Sequence, residues 1–161
     1  MNRPNQAQII QFLTLSNEVG SRAMSLGNHP FGSVLVGPDH ETVLLIQCNI
    51  DTVNHAESTL ARVAASNYPA EYLWQCTLYT AVEPCCMCTG TIYWANIGRV
   101  VYGMTEQRLL ECTGNHVENP TMRVSSAYVF EHGQKNIDLI GPIAEIEEKT
   151  AALQQAFWAE R

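Results

Sequence analysis

Apolar residues along this chain recur first at helical spacing, then at strand spacing, and the alternation repeats. Between Asn5 and Leu26, residues such as Ile9, Phe12, Leu13, Val19, Ala23 and Met24 return at three- and four-residue steps. This predicts an amphipathic helix, stopped by Gly27 and Pro30. Phe31–Gly37 and Thr42–Asn49 are short β-branched runs joined by Pro38-Asp39-His40, which predicts a hairpin. A polar loop, Asp51–Asn54, delivers the chain to an Ala- and Leu-rich helix over His55–Asn67. Cys76–Val82 and Gly98–Met104 read as strands flanking a helix that opens at Pro84 and runs through Ala95. Such a βαβ unit has parallel strands. Thr105–Cys112 predicts a short helix, 113–120 a polar loop and Ala144–Trp158 a final helix. A fainter pattern runs over 124–130 and 137–143. The order α-β-β-α-β-α-β with a C-terminal extension is that of a three-layer α/β domain, one domain over residues 1–161.

Composition narrows the partners. At 161 residues, 46% hydrophobic and 16% charged, the chain can bury a sizeable core and is not a disordered segment. Its formal net charge is −7 and its nine Lys and Arg are scattered. That argues against nucleic acid as a partner, since binding would rest on phosphate contacts, and favours a small-molecule substrate. No stretch is long enough to cross a bilayer, and the first residues lack the profile of a secretory signal. The six cysteines are therefore expected as reduced thiols in the cytoplasm.

The chemistry is concentrated in two short stretches. In Pro84-Cys85-Cys86-Met87-Cys88, proline presets the first turn of a helix, so Cys85 and Cys88 fall three apart on one face. The positive end of the helix lowers the cost of two thiolates. Upstream, His55-Ala56-Glu57 heads another helix. One imidazole and two thiolates make three ligands and leave a fourth position open, the arrangement of one catalytic zinc ion with a bound water. Glu57 is then free to accept the water's proton and pass it to a ring nitrogen and a departing amino group, with ammonia released. The combination H-x-E with P-C-x-x-C is the signature of zinc deaminases that act on bases.

Two other readings compete. Cys85 and Cys88 could form a redox pair. A structural zinc module would need a fourth protein ligand, with Cys48, Cys112 or His116 as candidates, and would leave Glu57 without a role. Cys86, between the ligands, is expected to point elsewhere, and Cys48, Cys76 and Cys112 are expected as buried thiols.

On these residues the chain resembles the cytidine-deaminase-like superfamily, over nearly its whole length. Glu83-Pro84-Cys85-Cys86-Met87-Cys88 followed by Ile92-Tyr93-Trp94-Ala95 is most similar to bacterial guanine deaminases. The resemblance implies a five-stranded mixed sheet between helices, a homodimer, and a nucleobase or nucleoside substrate. It matches Asn49 to an asparagine that hydrogen-bonds the base and gives Phe31 a place in the pocket wall. The chain departs from those enzymes at Asn54, where a small residue is usual, and in the loop around residues 115–119. A guanine-type substrate presents N–H donors, so Glu118, together with His116, is a candidate contact. Tyr93 and Trp94 are candidates either to line the pocket or to fill the helix–sheet layer. Phe157-Trp158 could cap a pocket or simply bury the last helix.

Overall fold

The computed structural model describes residues 2–161. Helix α1 (Gln6–Ser25) opens with a reciprocal cap, in which the Asn5 side chain accepts from the Gln8 amide and Gln8 returns the bond to Asn5. A hairpin follows, β1 (Gly32–Val36) and β2 (Val43–Cys48), then α2 (Ala56–Asn67) and the short α3 (Ala70–Leu73). Strand β3 (Thr77–Val82), helix α4 (Cys86–Trp94) and strand β4 (Arg99–Met104) form the expected βαβ unit. After it come α5 (Glu106–Thr113), α6 (Ser126–Glu131), β5 (Asp138–Ile140) and α7 (Ala144–Trp158).

The five strands lie in the order β2-β1-β3-β4-β5. Strand β1 is antiparallel to both neighbours, whereas β3, β4 and β5 run parallel. This is the mixed sheet that the resemblance implied. Side-chain alternation divides two cores. Val34, Val36, Tyr79 and Val101 pack with Phe12, Leu13 and Ile146 from α1 and α7. The intervening Leu35, Leu78 and Val100 pack with Leu60, Ala64 and Ile92 from α2 and α4. The central strands β1, β3 and β4 are buried throughout, as a sheet covered on both faces requires.

Two features fix α1 against the sheet. A Cβ on Gly32 would lie 2.6 Å from the Ser16 carbonyl oxygen, so only glycine permits this approach. Ser16 donates to the Gly32 carbonyl at 2.7 Å and accepts from the Ala81 amide at 2.8 Å, tying helix to two strands. The parallel pair β3 and β4 places Val82 opposite Met104, so the residues after both strands emerge at the same edge of the sheet. Ligand sites of open α/β sheets form at that edge.

The one-turn α3 was not foreseen, and the three-residue β5 falls within the faint pattern over 137–143. Neither is long enough to show a period. What holds β5 is tertiary: Asp138 pairs with the buried Arg99 at 2.9 Å and with Arg3. None of the described helices is long and apolar enough to cross a membrane.

Candidate metal centre and its pocket

Two helix N-termini meet at the carboxyl edge of the sheet. His55 is the N-cap of α2 and Cys85 the N-cap of α4, with Cys88 in the first turn of α4. The two helices pack side by side. His55 Nδ1 lies 3.6 Å from the Cys85 sulfur and 3.5 Å from the Cys88 sulfur. Metal–sulfur and metal–nitrogen bonds of about 2.3 and 2.1 Å at a tetrahedral angle put those atoms about 3.6 Å apart. The spacing therefore fits one zinc-sized ion, and all three ligand atoms fall within 4.8 Å of one another.

The electrostatics fit a cation as well. Cys85 is brought down to about 4 by its hydrogen bond with Cys88 and then by His55, against the opposing effect of burial. Cys88 is pushed strongly up by the same bond to Cys85 and by burial. A divalent cation binds both sulfurs as thiolates and would relieve this opposition. His55 is raised, first by its hydrogen bond with Cys85.

Glu57, in the first turn of α2, is 5% exposed. Its Oε2 lies 3.6 Å from the Cys88 sulfur and its Oε1 2.8 Å from the Thr80 hydroxyl. That hydroxyl also lies 2.9 Å from the Val82 carbonyl. Thr80 has one proton for two acceptors, so every bond is satisfied when Glu57 is protonated and donates to Thr80. Burial raises Glu57 in the same direction.

Beside the cluster lies a cavity of about 250 Å³. Phe31, Val82, Met87 and Leu109 give it apolar walls, His55, Glu57 and Cys85 its floor, and His29 and residues 118–122 its rim. Phe31 stands where expected. Glu118 reaches the rim too, but it is clamped there: His29 Nε2 lies 3.3 Å away and Arg161 donates to it at 2.8 Å.

Three expected contacts lie elsewhere. Trp94 is 81% exposed and outside the cavity. Two residues after the buried Ile92, it is turned roughly 200° around α4 and faces away from the sheet. Of the aromatic pair, Tyr93 is the one that fills the layer, with its hydroxyl accepting from the Gln134 amide at 2.9 Å. His116 does not line the cavity. Its ring packs on Trp158 at 5.1 Å, and its Nδ1 accepts from the Glu118 amide. Asn49 lines an adjoining crevice with His29, Thr52 and Arg161. Its Nδ2 donates to the Asp51 carbonyl and its buried Oδ1 has no partner among the described residues.

Phe157 and Trp158 are buried and back the His29 ring, at 5.8 and 4.8 Å. They support the rim from within their own chain. No fourth protein ligand joins His55, Cys85 and Cys88 among the described residues, which removes the basis for a closed structural zinc site.

Sequence reasoning missed Thr80, Glu83 and Glu106. Glu83 accepts from the Ser126 amide and hydroxyl and from the Glu106 amide, which ties α6 and α5 to the end of β3. Glu106 lines the cavity, and burial, then the charges of Cys85 and Glu57, push it up to about 8. Its signal was available: it follows β4 just as Cys85 follows the parallel β3.

Comparison with known proteins gives the same answer. Residues 6–104 match the cytidine and deoxycytidylate deaminase zinc-binding region. A probable cytosine deaminase of Schizosaccharomyces pombe is 28% identical over 92% of this chain and 91% of its own length. A guanine deaminase of Bacillus subtilis is 44% identical, over 45% of this chain and 49% of that protein. The solved structure of a guanine deaminase from Nitrosomonas europaea superposes with a TM-score of 0.63 over 92% of this chain and 83% of its own, at 17% identity. That last likeness speaks to the fold. With the family match spanning more than half of the sequence, the chain belongs to the zinc-dependent, cytidine-deaminase-like deaminases.

Proposed function

We propose that this protein hydrolytically deaminates a free amino-substituted nucleobase, guanine or a close relative, with one zinc ion per chain. The observation that carries the reading is the placement of Glu57, buried and 3.6 Å from Cys88, on the floor of the cavity beside the metal cluster. A zinc ion held by His55 Nδ1 and the sulfurs of Cys85 and Cys88 would supply a water that loses its proton near neutral pH. Glu57 takes that proton on Oε2, while Oε1 stays bonded to the Thr80 hydroxyl, and returns it to the substrate. The first delivery is to a ring nitrogen, the second to the amino group that leaves as ammonia. Burial suits Glu57 to this task, because a carboxyl raised above its ordinary range holds a proton more readily than a solvated one.

The pocket supports a small flat substrate. At about 250 Å³ it lies below the roughly 300–1,000 Å³ typical of sites for drug-sized ligands. Phe31 and Leu109 provide apolar surface for a ring, Glu118 sits at the rim, and Asn49 lines the adjoining crevice. No Lys or Arg lines the cavity, which leaves nucleic acid outside the proposal. A homodimer and a cytoplasmic location complete it. The exposed Trp94 is apolar surface of the kind a second copy covers.

Cytosine is the second reading, favoured by the near full-length match to the S. pombe protein. Ammonia release from guanine, adenine, cytosine, their nucleosides, triazines and pterins tests the choice. The expected result is turnover of a free base. Preference for a nucleoside, or no release at all, would contradict it.

A further inference from the structure

Four carboxylates line the cavity, and three of them are engaged. Glu57 meets Thr80 and Cys88, Glu83 is held by Ser126 and by the Glu106 amide, and Glu118 is clamped by His29 and Arg161. The Glu106 side chain has neither a hydrogen-bond nor an ion-pair partner among the described residues. Only its backbone amide is bonded, at 3.0 Å to Glu83 Oε2. It stands where the main cavity meets a second crevice bounded by residues 121–125. Its backbone is fixed, since Glu83 binds Ser126 at 2.8 and 2.9 Å as well.

A half-buried carboxyl in the cavity wall, unpaired within the chain, is free to accept a hydrogen bond from whatever the cavity takes in. The start of a helix favours a carboxylate, which accounts for an acid at this position but not for its place in the cavity wall.

Resting on the deaminase reading above, we propose that Glu106 is a substrate-contacting specificity residue. Its carboxyl oxygen accepts an N–H of the heterocycle. A free base or amino-heterocycle that presents a ring or amino N–H would satisfy the carboxyl, whereas an analogue without that donor would leave it unpaired. Gln at this position keeps an acceptor oxygen; Leu keeps the approximate size and removes it.

The test compares zinc-loaded wild type, Glu106→Leu and Glu106→Gln for ammonia release from the preferred free base. Zinc content and thermal melting are measured alongside. In Glu106→Leu, kcat/KM for the free base should fall at least about tenfold, as loss of one hydrogen bond in a closed site does. The Gln variant should lose less, because it keeps an acceptor oxygen. A kcat/KM within twofold of wild type in the Leu variant, or a Gln variant that loses as much as the Leu variant, would overturn the proposal and leave the deaminase reading intact. Absence of ammonia from every base with wild type would overturn both.

Discussion

Glu57 and Thr80 meet at 2.8 Å from neighbouring layers of the fold, one at the head of a helix, the other on a central strand. The strand side of this bond is rigid: the Thr80 hydroxyl is also 2.9 Å from the Val82 carbonyl, and both residues are buried. The acid that moves the proton is thus aimed by the sheet and not by its own helix alone. Thr80→Val removes the hydroxyl at nearly constant volume. Turnover should fall about tenfold or more while KM changes little, because binding surface is kept and only the orientation of Glu57 is lost. Steady-state kinetics with a base substrate read the split directly.

The metal ligands act as a set. Cys88 is fully buried and His55 half-buried, so an ion they hold would be bound within the fold. Chelation should abolish ammonia release, and added zinc should restore it. Cys88→Ser should bind less than one zinc per chain and melt at lower temperature than the zinc-loaded wild type, since a ligand bound only to the native state stabilises it. Metal content and calorimetry check both.

The loop that delivers His55 is braced by one acid. Asp51 accepts from the Asn54 amide and side chain and from the Val53 amide, which hold it down to about 2. Because its folded value lies below the ordinary one of about 3.9, its contribution to stability is complete above pH ~4 and fades as pH falls toward 2. The melting temperature of Asp51→Ala should therefore lie below that of wild type at pH 5–7, with the gap narrowing below pH 4. A gap independent of pH would contradict the assignment. Asn54 is part of this brace.

Helix α1 has no room to move off β1. A methyl on Gly32 would meet the Ser16 carbonyl oxygen at 2.6 Å and the Gly20 amide nitrogen at 2.7 Å, both backbone atoms. Gly32→Ala should destabilise by about 1–3 kcal/mol through overpacking. Urea unfolding measures this as a lower midpoint with little change in slope.

Much of this was legible in the chain. The helices over 6–25, 56–67 and 144–158 carry strong periodicity, and the three buried strands carry β-branched runs between turn residues, so local pattern sufficed. The metal cluster was legible because Cys85 and Cys88 sit in one helical turn, and His-x-Glu heads the other helix that reaches the sheet edge. The pocket wall was not. Glu106, Glu83 and Thr80 gain their places from strand pairing, which brings together residues 23 positions apart. Trp94 and His116 were misplaced for the opposite reason: each is near a site residue in sequence, but its own backbone turns it toward solvent or toward Trp158.

The central claim is that Glu57 moves the proton beside a zinc held by three protein ligands, and one comparison tests it most directly. Wild type and Glu57→Gln are loaded with zinc, their metal content is matched, and ammonia release from the preferred base is timed. The account predicts full zinc in both proteins and a loss of turnover of about 10²–10⁴ in the variant. A Glu57→Gln protein that retains its zinc and releases ammonia at the wild-type rate would contradict it.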